Sequence, residues 1–280
     1  MRNELAGGQG GLRCTPVPDA AGDLPTIDEL LVEMDTEVAR CRDTGDRRGY
    51  FAAMYRAVTR RIRDGLRNGE FEDAELLEQL DVVFARRWLD ACHGWRAGDE
   101  ITAPWQVAFE AADDAGLIIV QHLLLGINAH INLDLGIAAA ETVDRRPELT
   151  IDDLSVDFVT INRVLADLVD RMQDAIGTVS PWMRCVDWVS ARLDEGVAGF
   201  AIEVARDEAW SFATALSARR PDDREPLERE RSAFTAALGR HVADPPWQIR
   251  VAVRVARLRE RHDLDAVIDA LDVDVSRDAR

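Results

Sequence analysis

The chain has 280 residues, 47% of them hydrophobic, and a formal net charge of −18. It can therefore bury a substantial core, but it offers no broad basic surface for a nucleic acid or an anionic membrane. All 34 basic residues are arginine, which excludes a Schiff-base lysine, a phosphate-loop lysine and a lysine general base, and leaves guanidinium groups as the clamps for carboxylates or phosphates.

Residues 1–23, "MRNELAGGQGGLRCTPVPDAAGD", are rich in Gly, Pro and Asp and contain no apolar signal core. They read as a flexible tail, and a cytoplasmic location is the resulting expectation. From there on helix signals follow one another and strand signals are nearly absent. "TIDELLVEMDTEVARC" opens on a capping box, Thr26 with Glu29, and repeats Ile27, Leu30, Leu31, Met34 and Val38 at helical spacing. "DRRGYFAAMYRAVTRRIRDGL" reads as a second helix, "EDAELLEQLDVVFARRWLDACHGW" as a third ended by Gly98, and "APWQVAFEAAD" as a short fourth.

A long, mostly buried helix is expected from about Ala115 to Glu141, with Gly126 and Gly136 inside it. Gln121, His122, Asn128, His130, Asn132 and Asp134 interrupt its apolar run, so no membrane span is expected. Past Pro147 come "SVDFVTINRVLADLVDRMQDAIG", stopped by Gly177, and "SPWMRCVDWVSARLDEG", with Ser180 as N-cap and Pro181 at its first position. "VAGFAIEVARDEAWSFATALSA", "DREPLERERSAFTAALGRHV" and "PPWQIRVAVRVARLRERHDLDAVIDAL" complete the chain. The expected fold is a single all-α domain over residues 24–275, with nine or ten helices around a buried central one. Cys14, Cys41, Cys92 and Cys185 form no CxxC pair and read as free thiols.

Chemistry concentrates in "GINAHINLDL", Gly126 to Leu135. At about 100° per residue, His122, Gly126, His130, Asp134 and Glu141 share one stripe of the helix. His130 and Asp134 are i,i+4 neighbours, and imidazole with carboxylate at that spacing is a half-site for Zn²⁺, Mn²⁺ or Fe²⁺. The same geometry serves a general base with its orienting acid, or a structural hydrogen bond. Asn128 and Asn132 point elsewhere and are expected to bond a neighbouring helix or loop. Further polar residues in apolar surroundings are Asp81 in "EQLDVVFARRW", Asp157 and Asn162 in "VDFVTINRVL", and Arg206 in "ARDEAW". Asp157 reads as an N-cap, and His93, His241 and His262 read as peripheral groups at helix ends. Most of the seven tryptophans read as core anchors, with an aromatic-walled ligand pocket as the alternative.

These segments resemble an uncharacterised bacterial family of all-helical proteins, a domain of unknown function with a Gly-x-Asn-Ala-His-Ile-Asn-x-Asp-Leu signature. Gly126, Asn128, Ala129, His130, Ile131, Asn132, Asp134 and Leu135 match it, and the likeness runs from about Thr26 into the C-terminal helices. The resemblance implies a helical fold and no particular activity. Arg86 and Arg87 put more charge beside the central helix than the family pattern implies. A fainter resemblance links Gly126, His130 and Asp134 to the "GxxxHxxxD" helix of zinc-dependent phospholipase C and related helical nucleases, although "LGIAAAE" after Asp134 lacks their next histidine.

The leading expectation is an enzyme with its active site on the central helix, a metal-dependent hydrolase of a phosphoester-type small molecule. Its divalent metal would be held by His122, His130, Asp134 and Asp81, and Arg206 would clamp an anionic group. The alternatives are a metal-free cyclase or lyase acting on a small apolar molecule, with tryptophans walling its pocket, and a non-enzymatic binding or scaffold protein in which the motif is a polar packing network. The oligomeric state is open.

Overall fold

The computed structural model describes residues 24–161, 202–258, 260 and 263–272. The N-terminal tail with Cys14, the helices expected between 162 and 196 with Asn162, Trp182, Cys185 and Trp188, and His262 lie outside the described residues. Ten α-helices and no strand occur among those described: α1 (Ile27–Thr44), α2 (Arg48–Asn68), α3 (Ala74–Ala97), α4 (Ala103–Ala111), α5 (Ile119–Ala129), α6 (Leu135–Asp144), α7 (Ile202–Ser217), α8 (Glu225–Ala243), α9 (Trp247–Arg257) and α10 (Leu264–Leu271).

Local chemistry sets several boundaries where the sequence marks them. The Thr26–Glu29 capping box opens α1, with Glu29 N–H donating to Thr26 Oγ1 at 3.3 Å and Thr26 N–H donating to Glu29 Oε2 at 2.9 Å. Gly98, in the left-handed region at φ 76°, ends α3. Asp157 differs from its reading as an N-cap. It is buried, and its carboxylate accepts the backbone N–H groups of Glu72 and Asp73 at 2.8 and 2.9 Å, fastening the entry to α3.

α5 and α6 run on from one another as a central helix, joined by a turn of π-helix at His130–Asp134. α2, α4 and α8 surround α5, while α3 and α7 pack on α6. Gly126 permits the approach of α2, because a Cβ there would stand 2.3 Å from Phe51 Cδ2. Gly136 does the same for α7, where a Cβ would lie 2.5 Å from Phe212 Cδ1. Two apolar clusters meet along this helix. One holds Leu30, Met34, Phe51, Trp88, Trp105 and Leu125; the other holds Leu76, Leu77, Leu80, Leu135, Leu154 and Ala209. By length and composition Ile119–Asp144 is apolar enough to cross a membrane despite its polar interruptions, yet 89% of its most apolar window is buried inside the fold.

Candidate functional site

The motif sits on the π turn. There Leu135 N–H donates to His130 O, five residues back. Such a bulge widens the helix and frees a carbonyl, and Arg231 Nε donates to one of them, Asn132 O, at 2.7 Å. Asn128 Nδ2 donates to Thr235 O of α8 at 2.9 Å, and Asn132 Nδ2 donates to Asn128 Oδ1 at 3.0 Å. The two asparagines thus tie the turn to α8.

His130 and Asp134 face the other way. Asp134 is buried and its carboxylate is closely held: Oδ2 accepts Trp105 Nε1–H at 2.7 Å and Oδ1 accepts Arg87 Nε–H at 3.2 Å. Arg87 also donates to Glu141 Oε1 at 3.2 Å. His130 Nδ1 stands 3.6 Å from Asp134 Oδ2, just beyond hydrogen-bond length, and neither of its ring nitrogens has a hydrogen-bond partner. Its ring stacks on Phe84 with centroids 3.5 Å apart and meets Tyr55 edge-on at 4.2 Å. Burial lowers the His130 pKa, against the opposing pull of Asp134.

Beside this histidine lies a cavity of about 110 Å³. Among the described residues, α2 supplies Phe51, Met54, Tyr55, Val58 and Ile62 to its wall, α3 supplies Leu77, Leu80, Asp81 and Phe84, and the central helix supplies Ile127, His130, Ile131 and Leu135. Phe158, Ile161 and Arg206 complete it. The wall is thus apolar apart from Tyr55, Asp81, His130 and Arg206. Asp81 Oδ2 and Tyr55 Oη are buried without a hydrogen-bond partner. Burial, reinforced by Glu78, raises the Asp81 carboxyl from 3.8 to about 7, and burial together with Asp81 and Asp134 raises the Tyr55 phenol.

The sequence-predicted residues therefore divide. Asp81, His130 and Arg206 share the cavity wall, and Asp134 supports His130. Arg206 Nη2 donates to Phe158 O at 3.0 Å, its guanidinium lies 4.1 Å from the Phe158 ring centroid, and burial lowers its pKa to about 10. His122 does not join them. It lines a separate recess of about 20 Å³ with Arg47, Arg48 and Phe109, and burial, then Arg47 and Arg257, lowers its pKa to about 4.

The four expected metal ligands are not brought to one point: His122 faces another recess, and among the described residues no three His, Cys, Asp or Glu side chains cluster to hold a metal. Nor do tryptophans wall the described cavity. Trp88 and Trp105 are buried in the neighbouring core, and the cavity aromatics are Phe51, Tyr55, Phe84 and Phe158.

Sequence reasoning missed Tyr55, Phe84 and Trp105 as neighbours of the site. The one available signal was Arg86–Arg87, of which Arg87 reaches Asp134 while Arg86 pairs with Glu33 on α1. Fold and site together define an all-helical protein with a buried polar turn set against an apolar cavity. The chain belongs to the family of unknown function DUF5995, which matches residues 27–245. No curated protein and no solved structure matches it.

Proposed function

We propose that this protein is an acid–base enzyme, a lyase or cyclase, whose side chains move protons on a small, largely apolar molecule held in the cavity. The observation that carries this reading is the meeting of His130 and Asp81 at one apolar cavity, each with buried polar atoms lacking a protein partner. Unsatisfied buried polar groups are costly, so their presence at a cavity supports a ligand that completes them.

The two groups are displaced in complementary directions. Burial keeps the His130 imidazole neutral, ready to take a proton from carbon. The Asp81 carboxyl, raised to about 7, keeps a large protonated fraction near neutral pH and can give a proton to a leaving group or a double bond. Asp134, held by Arg87 and Trp105, faces the imidazole edge and stabilises the imidazolium formed on proton abstraction. One proton taken and one given leaves the protein's charge unchanged over the step. A space of about 110 Å³ admits a molecule on the order of benzene in size. A phosphoester would need more cationic groups than Arg206, the only guanidinium among the described lining residues.

The test begins with compounds that co-purify with the protein or raise its melting temperature, taken from a panel of single-ring aromatics and short unsaturated alcohols. Each is incubated with the protein in D₂O with a chelator present. The expected result is product, or deuterium built into recovered compound, reduced about 10²-fold or more in His130→Gln and Asp81→Asn while binding persists. A compound that binds and returns unchanged, free of deuterium, overturns the catalytic reading in favour of a binding protein.

A further inference from the structure

α9 presents an apolar stripe to solvent. Trp247, Val251, Val255 and Leu258 are 66%, 53%, 45% and 83% exposed, and at about 100° per residue they span roughly a quarter of the helix circumference. The opposite side holds the helix in place: Ala256 and Val253 pack on Ile118 and Val120. Arg257 Nε donates to Ala115 O at 2.8 Å, and the Glu260 carboxylate accepts Ile119 N–H at the start of α5. Arg250 and Arg254, both exposed, flank the stripe along one edge, with Arg250 paired to Asp244 at 2.8 Å. Between Arg240 and Arg261 the sequence carries six arginines against two acids, Asp244 and Glu260, in a chain whose total charge is −18. That total, which argued against an anionic membrane, does not describe this stretch of the sequence.

We propose that α9 is a membrane-surface helix that docks on anionic lipid headgroups, with Trp247, Val251, Val255 and Leu258 entering the interface and Arg250 and Arg254 meeting the phosphates. A tryptophan and aliphatic stripe bordered by arginine is the pattern that holds a helix in the interfacial plane. A second copy of the chain is the competing occupant, and the test below separates it. The helix follows the family-matched residues 27–245, and the proposal is independent of the cavity chemistry.

The full chain is mixed with phosphatidylcholine vesicles with and without phosphatidylglycerol, and bound protein is measured by co-sedimentation. Wild type is expected to sediment with the anionic vesicles and to be released by salt. Val251→Glu with Leu258→Glu should lower that partitioning about tenfold or more. Arg254→Gln should lower it about fivefold on anionic vesicles alone. Val32→Glu, at an exposed valine on α1 (66% exposed), should change nothing, and circular dichroism checks that each variant is folded. The proposal is overturned if wild type stays in the supernatant with anionic vesicles, or if the double variant sediments like wild type. It is equally overturned if the stripe instead holds a dimer, seen by sedimentation velocity and abolished by the same pair of substitutions.

Discussion

His122 and His130 stand eight residues apart on one helix, both buried and both lowered in pKa by burial, yet their surroundings differ in kind. His122 occupies a recess of about 20 Å³, meets Tyr50 edge-on at 5.8 Å and is further suppressed by Arg47. His130 opens onto a cavity of about 110 Å³ and has a carboxylate at its edge. The helical stripe joined them; neighbouring helices separated them. α2 sends Phe51 against Gly126, in the interval between the two rings, and Phe51 lines both spaces. A shared face on a helix is thus a condition for a shared site and no more, because eight residues of rise set the rings about 12 Å apart along the axis.

The strongest way to break this comparison is at the support that only His130 has. Asp134→Ala strips the acceptor from Arg87 Nε and Trp105 Nε1 and removes the carboxylate beside His130, leaving Arg87 its bond to Glu141. Urea unfolding should show a loss of about 3–5 kcal/mol. Stability near that of wild type would mean the Arg87–Asp134–Trp105 contacts hold nothing together.

The next largest effect lies on the other side. The His122 pKa is about 4 in the fold against an ordinary 6.5. A depressed folded value gives stability that is present above pH 6.5 and lost as pH falls toward 4. His122→Phe escapes that loss, so its stability relative to wild type should rise by up to about 3 kcal/mol between pH 7 and pH 4 in parallel denaturant titrations. An unchanged difference across that range would show that His122 is not the group that acid attacks.

Asp81 sharpens the contrast from the alkaline side. Its carboxyl is raised from 3.8 to about 7, so the stability it contributes is complete below pH 4 and lost as pH rises through 7. Asp81→Asn does not ionise. Its stability relative to wild type should therefore grow by about 2–3 kcal/mol from pH 5 to pH 8, read from melting temperatures at the two pH values. The recess and the cavity would then be distinguished by opposite pH signatures.

Much of the architecture was legible in the chain. The Thr26–Glu29 box and Gly98 act through neighbours within a few residues, so their effect is written in adjacent letters. The split between the asparagine pair and the His130–Asp134 pair was legible for the same reason, since helical phase is a local property. The π turn was not, because the stretch contains no proline or other breaker and its extra width is matched by Arg231 from about a hundred residues away in sequence. Asp157 misled because a residue that can cap its own helix serves here as the acceptor for another helix's entry. Tyr55 and Phe84 read as ordinary apolar positions of α2 and α3, and nothing in their own segments announces that both rings lie on His130.

By itself the sequence determined that the protein is helical, where many helices begin and end, that a polar motif lies within the most apolar helix, and which side chains of that motif share a face. Periodicity and capping are short-range, and burial of a mostly apolar helix follows from its composition. Tertiary structure decided which buried polar groups meet. It gave both oxygens of Asp134 to Arg87 and Trp105, placed Asp81 with His130 at one cavity and assigned His122 to another. Those choices depend on contacts between segments tens of residues apart, and the chemistry of an ionisable group is set by the partners and the dielectric that such contacts bring to it.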